Sequence, residues 1–99
     1  MSFALEFLPD AAAEVEEATR FYEGLMAGLG VRYRLEVERA CIALAHEPAI
    51  HRERRGGFRR KNLQGFPYYI AYFIRGERVF IAAVAHASRH PDYWKDRLV

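Results

Sequence analysis

The sequence predicts an α+β domain of order β-α-α-β-β-β, with a helical hairpin packed on one face of a small, mainly antiparallel sheet. Three observations carry that expectation. Hydrophobic residues alternate at period two around Phe3, Leu5 and Phe7, the pattern of a short strand. Two stretches then repeat apolar residues every three or four positions and are separated by Gly28 and Gly30, as in two amphipathic helices joined by a tight turn. Further on, the apolar runs PYYIAYFI and RVFIAAVAHA flank Arg75-Gly76-Glu77, which reads as a hairpin. Ninety-nine residues suffice for one hydrophobic core and not for two, so residues 1–99 are read as a single domain.

Taken in order, the first strand covers residues 2–8. Pro9 and Asp10 follow it; proline suits the first turn of a helix and an acidic side chain suits its positive end. Val15, Ala18, Tyr22, Leu25 and Leu29 form one apolar stripe, and Glu14, Glu16, Glu17, Arg20 and Glu23 fall largely on the wet side. Gly28 and Gly30 are expected to stop this helix. A second helix is expected over residues 31–46, with Tyr33, Val37, Ala40, Cys41 and Leu44 as its main stripe and Leu35 and Ile42 widening it. Glu47-Pro48 closes it, because the residue before proline avoids the α region.

The remainder reads as β. Residues 58–63 follow the Gly56-Gly57 break and carry alternate basic side chains. The two apolar runs form the central hairpin, with Gly76-Glu77 as a type II′ turn. Period two puts Tyr68, Ile70, Tyr72 and Ile74 on one face and Tyr69, Ala71 and Phe73 on the other. In the last strand it opposes Val79, Ile81, Ala83 and Ala85 to Phe80, Ala82, Val84 and His86. Both faces of the hairpin are therefore apolar. The helices cover one, no further element looks long enough to cover the other, and an uncovered apolar face marks a partner surface.

Composition narrows the class. With 52% hydrophobic and 14% aromatic residues, the chain can bury enough surface to fold rather than stay disordered. No apolar stretch approaches the roughly 20 residues needed to span a bilayer, and MSFALEFLPD lacks the basic and apolar regions of a signal peptide. Cys41 is the single cysteine, so no internal disulfide forms and a reducing, cytoplasmic setting is expected, with no membrane partner. The net charge of +2 is unevenly spread: residues 51–61 place six cations against Glu53, a local +5 that leaves −3 for the rest. Such a block suits a polyanion, an acidic protein partner or plain solvent.

The stretch HASRHPDYW at residues 86–94 concentrates reactive side chains where the last strand ends. A metal site from His86, His90 and Asp92 is disfavoured, because Pro91 prevents the helical spacing that a histidine pair at i, i+4 requires. Trp94 is read as a packing anchor for the C-terminus. There is no Walker or Rossmann glycine pattern and no serine or cysteine beside a histidine in a nucleophile context, so no cofactor is expected.

Four stretches, in this order, resemble a known group. FLPDAAAEVEEATRFYEGLMAGLGVRYRLEVERACIALAHEP pairs an aromatic-bearing first helix, through Gly-Leu-Gly, with an arginine- and glutamate-bearing second helix ending in proline. RRKNLQGFPYYIAYFIRGERVFIAAVAHASRHPDYW continues with a basic strand, a Phe-Pro-Tyr strand, and a last strand ending in His-x-x-Arg before a tryptophan. The chain is similar, over nearly its whole length, to the RelE/ParE toxin superfamily of bacterial type II toxin–antitoxin modules, in its ParE-like, plasmid-stabilisation branch.

That resemblance implies a cognate antitoxin as partner and one of two activities. ParE-like toxins poison DNA gyrase by binding, whereas RelE-like toxins cut mRNA on the ribosome. A third reading is a non-toxic relic that only pairs with its antitoxin. If the chain is a nuclease, His86 is the candidate acid or base, Tyr93 a proton donor, and Arg89 a cation for the charged phosphorus centre. Arg59, Arg60, Lys61 and Arg89 are candidate contacts to an anion or to the target. For His86 the preferred reading is instead a strand-end histidine hydrogen-bonded to a neighbouring carbonyl, tyrosine or aspartate. Arg89 reads equally as the partner of a helix carboxylate. The antitoxin is expected on the uncovered sheet face, at Tyr69, Ala71, Phe73, Phe80, Ala82 and Val84. With only two lysines, Lys61 and Lys95, and most arginines in a loop, binding is preferred to catalysis and DNA gyrase to mRNA.

Overall fold

In the computed structural model, which describes residues 2–98, the chain runs β1 (Ala4–Phe7), α1 (Pro9–Leu25), α2 (Leu29–His46), β2 (Arg59–Asn62), β3 (Tyr68–Arg75) and β4 (Arg78–His86), with 3-10 turns at Pro48–Ile50 and Lys95–Leu98. The sheet order is β1-β4-β3-β2; β1 lies parallel to β4 and the other neighbours are antiparallel. This is the expected α+β order, with both helices on one face.

Helix α1 starts on Pro9 with Asp10 in its first turn, as the sequence indicates. It buries the small stripe Ala11, Val15 and Ala18 against β4. Leu25, expected in that stripe, is 62% exposed. It sits in the last turn, where the following residue, Met26, is already extended.

The two glycines between the helices do different jobs. Gly28 carries a φ of +88° and makes the turn. Gly30 is no stop signal: it is buried inside α2, where a Cβ would stand 2.7 Å from the carbonyl oxygen of Thr19 and 3.0 Å from Glu23 Cβ. Only hydrogen fits at that helix crossing. The Glu23 carboxylate accepts the N–H groups of Gly28 at 3.1 and 3.0 Å and of Gly30 at 3.0 Å. It thereby occupies the positive end of α2 and satisfies donors that a helix leaves unpaired. This cap lets α2 begin at Leu29, two residues before the expected start.

Beneath the helices, Val37, Ala40 and Leu44 meet Ile70, Tyr72, Val79, Ile81 and Val84 in the main core. Tyr33, fully buried, joins the helices to the start of β3 through Tyr22, Phe66 and Tyr68, with ring centroids 5.3, 5.3 and 5.2 Å away. Gly76 has φ +61° and Glu77 does not turn positive, consistent with the expected type II′ hairpin.

Two expectations about the sheet are overturned. First, β4 does not alternate strictly. Ala71 pairs with Ala83 but Tyr72 pairs with Ile81, so Ala82 is an extra residue and every side chain beyond it changes face. Val84 therefore belongs to the core under the helices, not with Phe80 and Ala82. Second, the far face is covered by the chain itself. Phe58 and Trp94 pack over Tyr69, Ala71, Ala82, Ala83 and Ala85, the alanines leaving room for an indole. Tyr69, Ala71 and Ala82, expected to receive an antitoxin, are at most 3% exposed. One large side chain on a short tail achieves what seemed to need a whole element. Phe73 and Phe80 alone of that set stay half-exposed, stacked at 5.2 Å.

Candidate functional site

The end of β4, the segment after it and one flank of α1 enclose a cleft of about 190 Å³. Glu14, Glu17 and Phe21 line it from α1, Tyr68 from β3, His86 from β4, and Arg89 and Tyr93 from the C-terminal segment. It exists because β1 is short. Strand β1 pairs with β4 only from Arg78 to Ile81, so the next backbone groups of β4 have no strand beside them on that side and need other partners.

Glu14 supplies one of them. Its Oε1 accepts the N–H of Val84 at 3.0 Å, and Arg97 donates to the Ala82 carbonyl at 3.2 Å. The two side chains are also joined to each other, Arg97 donating to both Glu14 oxygens at 2.9 and 3.1 Å. The Tyr93 hydroxyl donates to Glu14 Oε2 as well. Both members of the ion pair are largely shielded, at 13% and 18% side-chain exposure. Burial raises the Tyr93 hydroxyl above its ordinary pKa, and the Glu14 bond and charge raise it further. For Arg97, burial works against the charged form, but the Glu14 bonds and the charges of Glu14, Tyr93 and Asp10 outweigh it and hold the guanidinium above its usual range.

His86, Arg89 and Tyr93 are thus brought into one cleft, as a nuclease reading requires, yet each is already engaged. His86 Nδ1 lies 3.0 Å from the Ser88 N–H and 2.7 Å from its hydroxyl, and the ring stands edge-on to Tyr68 at 5.0 Å. The Arg89 guanidinium lies over the Tyr93 ring at 3.7 Å, a cation–π contact. Tyr93, with its raised pKa and its proton directed at Glu14, is a poor proton donor at neutral pH. The cleft also sets two carboxylates, Glu14 and Glu17, against one permanent cation, Arg89, which opposes entry of a phosphodiester.

Arg59, Arg60 and Lys61 do not line this cleft. They lie on β2, at the other edge of the sheet. Arg59 donates to the His51 carbonyl at 2.7 Å and the Ala49 carbonyl at 3.4 Å, tying down the loop that also receives the Tyr72 hydroxyl at Pro48. Arg60 lies 3.8 Å above the Tyr69 ring. Lys61 faces a separate groove with Glu36 and Arg39 of α2. Arg59 thus spends one guanidinium nitrogen on backbone carbonyls. Sequence reasoning missed Glu14, which it placed on the wet side. The available signal was its spacing, three residues after Ala11 and four before Ala18, which keeps it beside the buried stripe.

Much of the remaining apolar exposure lies on the helices, with Met26 in the turn between them and Ile50 after α2 also exposed. Phe21 and Leu25 project from α1, and Val31, Leu35 and Ile42 from α2, between 47% and 62% exposed. Ile42 borders a groove of about 420 Å³ floored by Phe7, Val15, Val37 and Cys41. Burial, then the Glu38 charge, pushes the Cys41 thiol up to about 11, so it packs rather than reacts. No helix of the described residues is long and apolar enough to cross a membrane.

Solved structures that share this architecture include the following two. One is a chain of the chromosomal ParDE toxin–antitoxin system from P. aeruginosa, with a TM-score of 0.77 and 15% identity over 88% of this chain and 98% of that one. The other is an arginine-to-alanine double variant of E. coli toxin RelE in the free state, with a TM-score of 0.65 and 17% identity over 100% of both chains. At such identities the likeness is one of fold. No curated protein sequence matches the chain. A family model described as the ParE toxin of type II toxin–antitoxin system, parDE, matches residues 5–91; the chain belongs to the ParE toxin family.

Proposed function

We propose that this toxin acts by binding and poisoning DNA gyrase rather than by cutting RNA, and that a cognate antitoxin neutralises it. The observation that carries the choice is the state of the cleft. Cleavage by a 2′-hydroxyl needs a free base, a free acid and unmatched positive charge at phosphorus. Here the tyrosine proton is held by Glu14, the histidine Nδ1 by Ser88, and the one lining guanidinium, Arg89, faces two carboxylates. Purified toxin mixed with gyrase and supercoiled plasmid should accumulate linear DNA when the protein is stripped away by detergent. Unimpaired supercoiling at a tenfold excess of toxin would reject the gyrase reading. The clustering of His86, Arg89 and Tyr93 favours one competing reading, a ribosome-dependent nuclease. In a translating extract, His86→Ala should leave mRNA decay unchanged; a loss of cleavage in that variant would establish the nuclease instead.

The antitoxin surface moves from the sheet to the helices. Because Tyr69, Ala71, Ala82 and Val84 are buried, the apolar stripe Val31, Leu35 and Ile42 with its adjoining groove is the surface offered to an amphipathic antitoxin segment. Ile42→Asp is expected to weaken the pair by about 100-fold, about 2.7 kcal/mol, since a charge would then be buried against apolar atoms. Titration calorimetry on the purified pair measures this, and an unchanged affinity places the antitoxin elsewhere.

A further inference from the structure

We propose that the hairpin tip at residues 52–58 is a contact site for the phosphodiester backbone of duplex DNA, separate from the cleft. Its cations are unspent. Arg52, Arg54 and Arg55 are exposed around a single carboxylate, Glu53, and among the described residues none of the three has a carboxylate within 4.0 Å; Arg20, Arg32 and Arg75 are likewise unpaired but isolated, so it is the cluster of three that sets the tip apart. Clustering unpaired arginines repels them from one another, and an anion relieves that repulsion.

The tip is also built to a fixed shape. The Arg54 N–H donates to the Phe58 carbonyl at 2.7 Å and the Gly57 N–H to the Arg54 carbonyl at 3.0 Å, across an antiparallel bridge between Arg54 and Phe58. Gly56 and Gly57, at φ +96° and +82°, make a turn that side-chain-bearing residues resist. Phe58, 8% exposed, fastens the base of the ribbon edge-on to Trp94 at 4.6 Å, and Arg59 ties it to the His51 carbonyl. A turn braced in this way loses less freedom on binding than an open loop.

The chemistry of the tip selects the partner. Within the tip the one hydrocarbon side chain, Phe58, is buried, and the exposed Ile50 lies before it, while the centre of a protein–protein interface calls for such groups and protein–DNA interfaces are polar and strongly positive. Guanidinium forks match phosphate oxygens. The tip, a turn closed by a single antiparallel bridge, is slender enough to enter the roughly 12 Å major groove of B-DNA and reach the phosphates on its walls, while the deep, narrow major groove of A-form RNA shuts it out. Charge that merely guards an open sheet edge explains Arg60 and Lys61 on β2; it does not explain the tip, which lies beyond the strand.

Fluorescence anisotropy of a labelled 20-base-pair DNA duplex, titrated with the full chain in the absence of gyrase, tests this without reference to the toxin's target. Three phosphate contacts predict that affinity falls about 40-fold between 50 and 200 mM salt. The exposed triple variant Arg52→Ala, Arg54→Ala, Arg55→Ala should melt like the parent and lose most of that salt dependence. An RNA duplex of the same sequence should bind more weakly, and a polyglutamate peptide should not compete. The proposal is overturned by absence of DNA binding at 50 mM salt, by an unaltered salt slope in the triple variant, or by RNA or polyglutamate binding as tightly as DNA.

Discussion

Replacing Trp94 by alanine is expected to destabilise the fold by about 4 kcal/mol, the range seen when a large aromatic is removed from a core. The indole is fully buried and is the main lid over the second face of the sheet. Its removal leaves a cavity floored by alanines, which have no rotamers with which to collapse into it. It also removes the Nε1–H that donates to the Tyr69 hydroxyl at 3.1 Å, and strips Phe58 of its edge-on partner. Urea unfolding followed by circular dichroism should show a large drop in midpoint with little change in slope. Trp94→Phe separates the contributions. It keeps an aromatic ring on the alanine floor and loses the donor, so a cost of only about 1–2 kcal/mol is expected. A midpoint shift in Trp94→Ala equivalent to less than about 1 kcal/mol would mean that the tail does not hold this face.

Glu14→Ala should cost about 3 kcal/mol, the scale of breaking a shielded ion pair by removing one partner. The loss is larger than that of a surface salt bridge because Glu14 accepts four hydrogen bonds at once, from Val84, Tyr93 and twice from Arg97. Without it, Arg97 keeps the Ala82 carbonyl but only one carboxylate, the exposed Asp10 at 3.5 Å, and the Val84 N–H of β4 loses its partner. The double variant Glu14→Ala, Arg97→Met should be less destabilised than the two single variants added together, because the second change removes a charge that the first has stranded. Additivity within about 0.5 kcal/mol would show that the two residues act independently. Carboxypeptidase digestion gives a second reading, with the C-terminal segment released faster in Glu14→Ala than in the parent.

Much of this molecule is legible along the chain. Helix α1 could be read from Pro9, Asp10 and the spacing of Val15 and Ala18, the hairpin from Gly76-Glu77, and the anchoring role of Trp94 from its position after the last strand. Each rests on a local cause: a fixed proline φ, a periodicity, a turn that needs glycine. Where local reading failed, the deciding partner was distant in sequence. Gly30 looked like a helix stop and is a helix crossing, because the atom that excludes its Cβ belongs to Thr19. Val84 looked outward, because nothing in AAVA marks which alanine is the extra one in the pairing with β3. Glu14 looked solvated, because its partners Val84, Tyr93 and Arg97 lie at least 70 residues away.

The cleft shows the same division. Its side chains, His86, Arg89 and Tyr93, were identifiable from HASRHPDYW; their states were not. A histidine, an arginine and a tyrosine close together in sequence carry the inventory of an acid–base site, and only the folded chain commits them to Ser88, to a ring face and to Glu14. By itself, then, the sequence determined the order of elements, the α+β class and the family, because these follow from periodicity, turn chemistry and motif order, which are properties of neighbouring residues. Only the tertiary structure decided which face of the sheet is covered, which carboxylate is buried and which cations remain free, because burial and pairing depend on what the rest of the chain brings alongside.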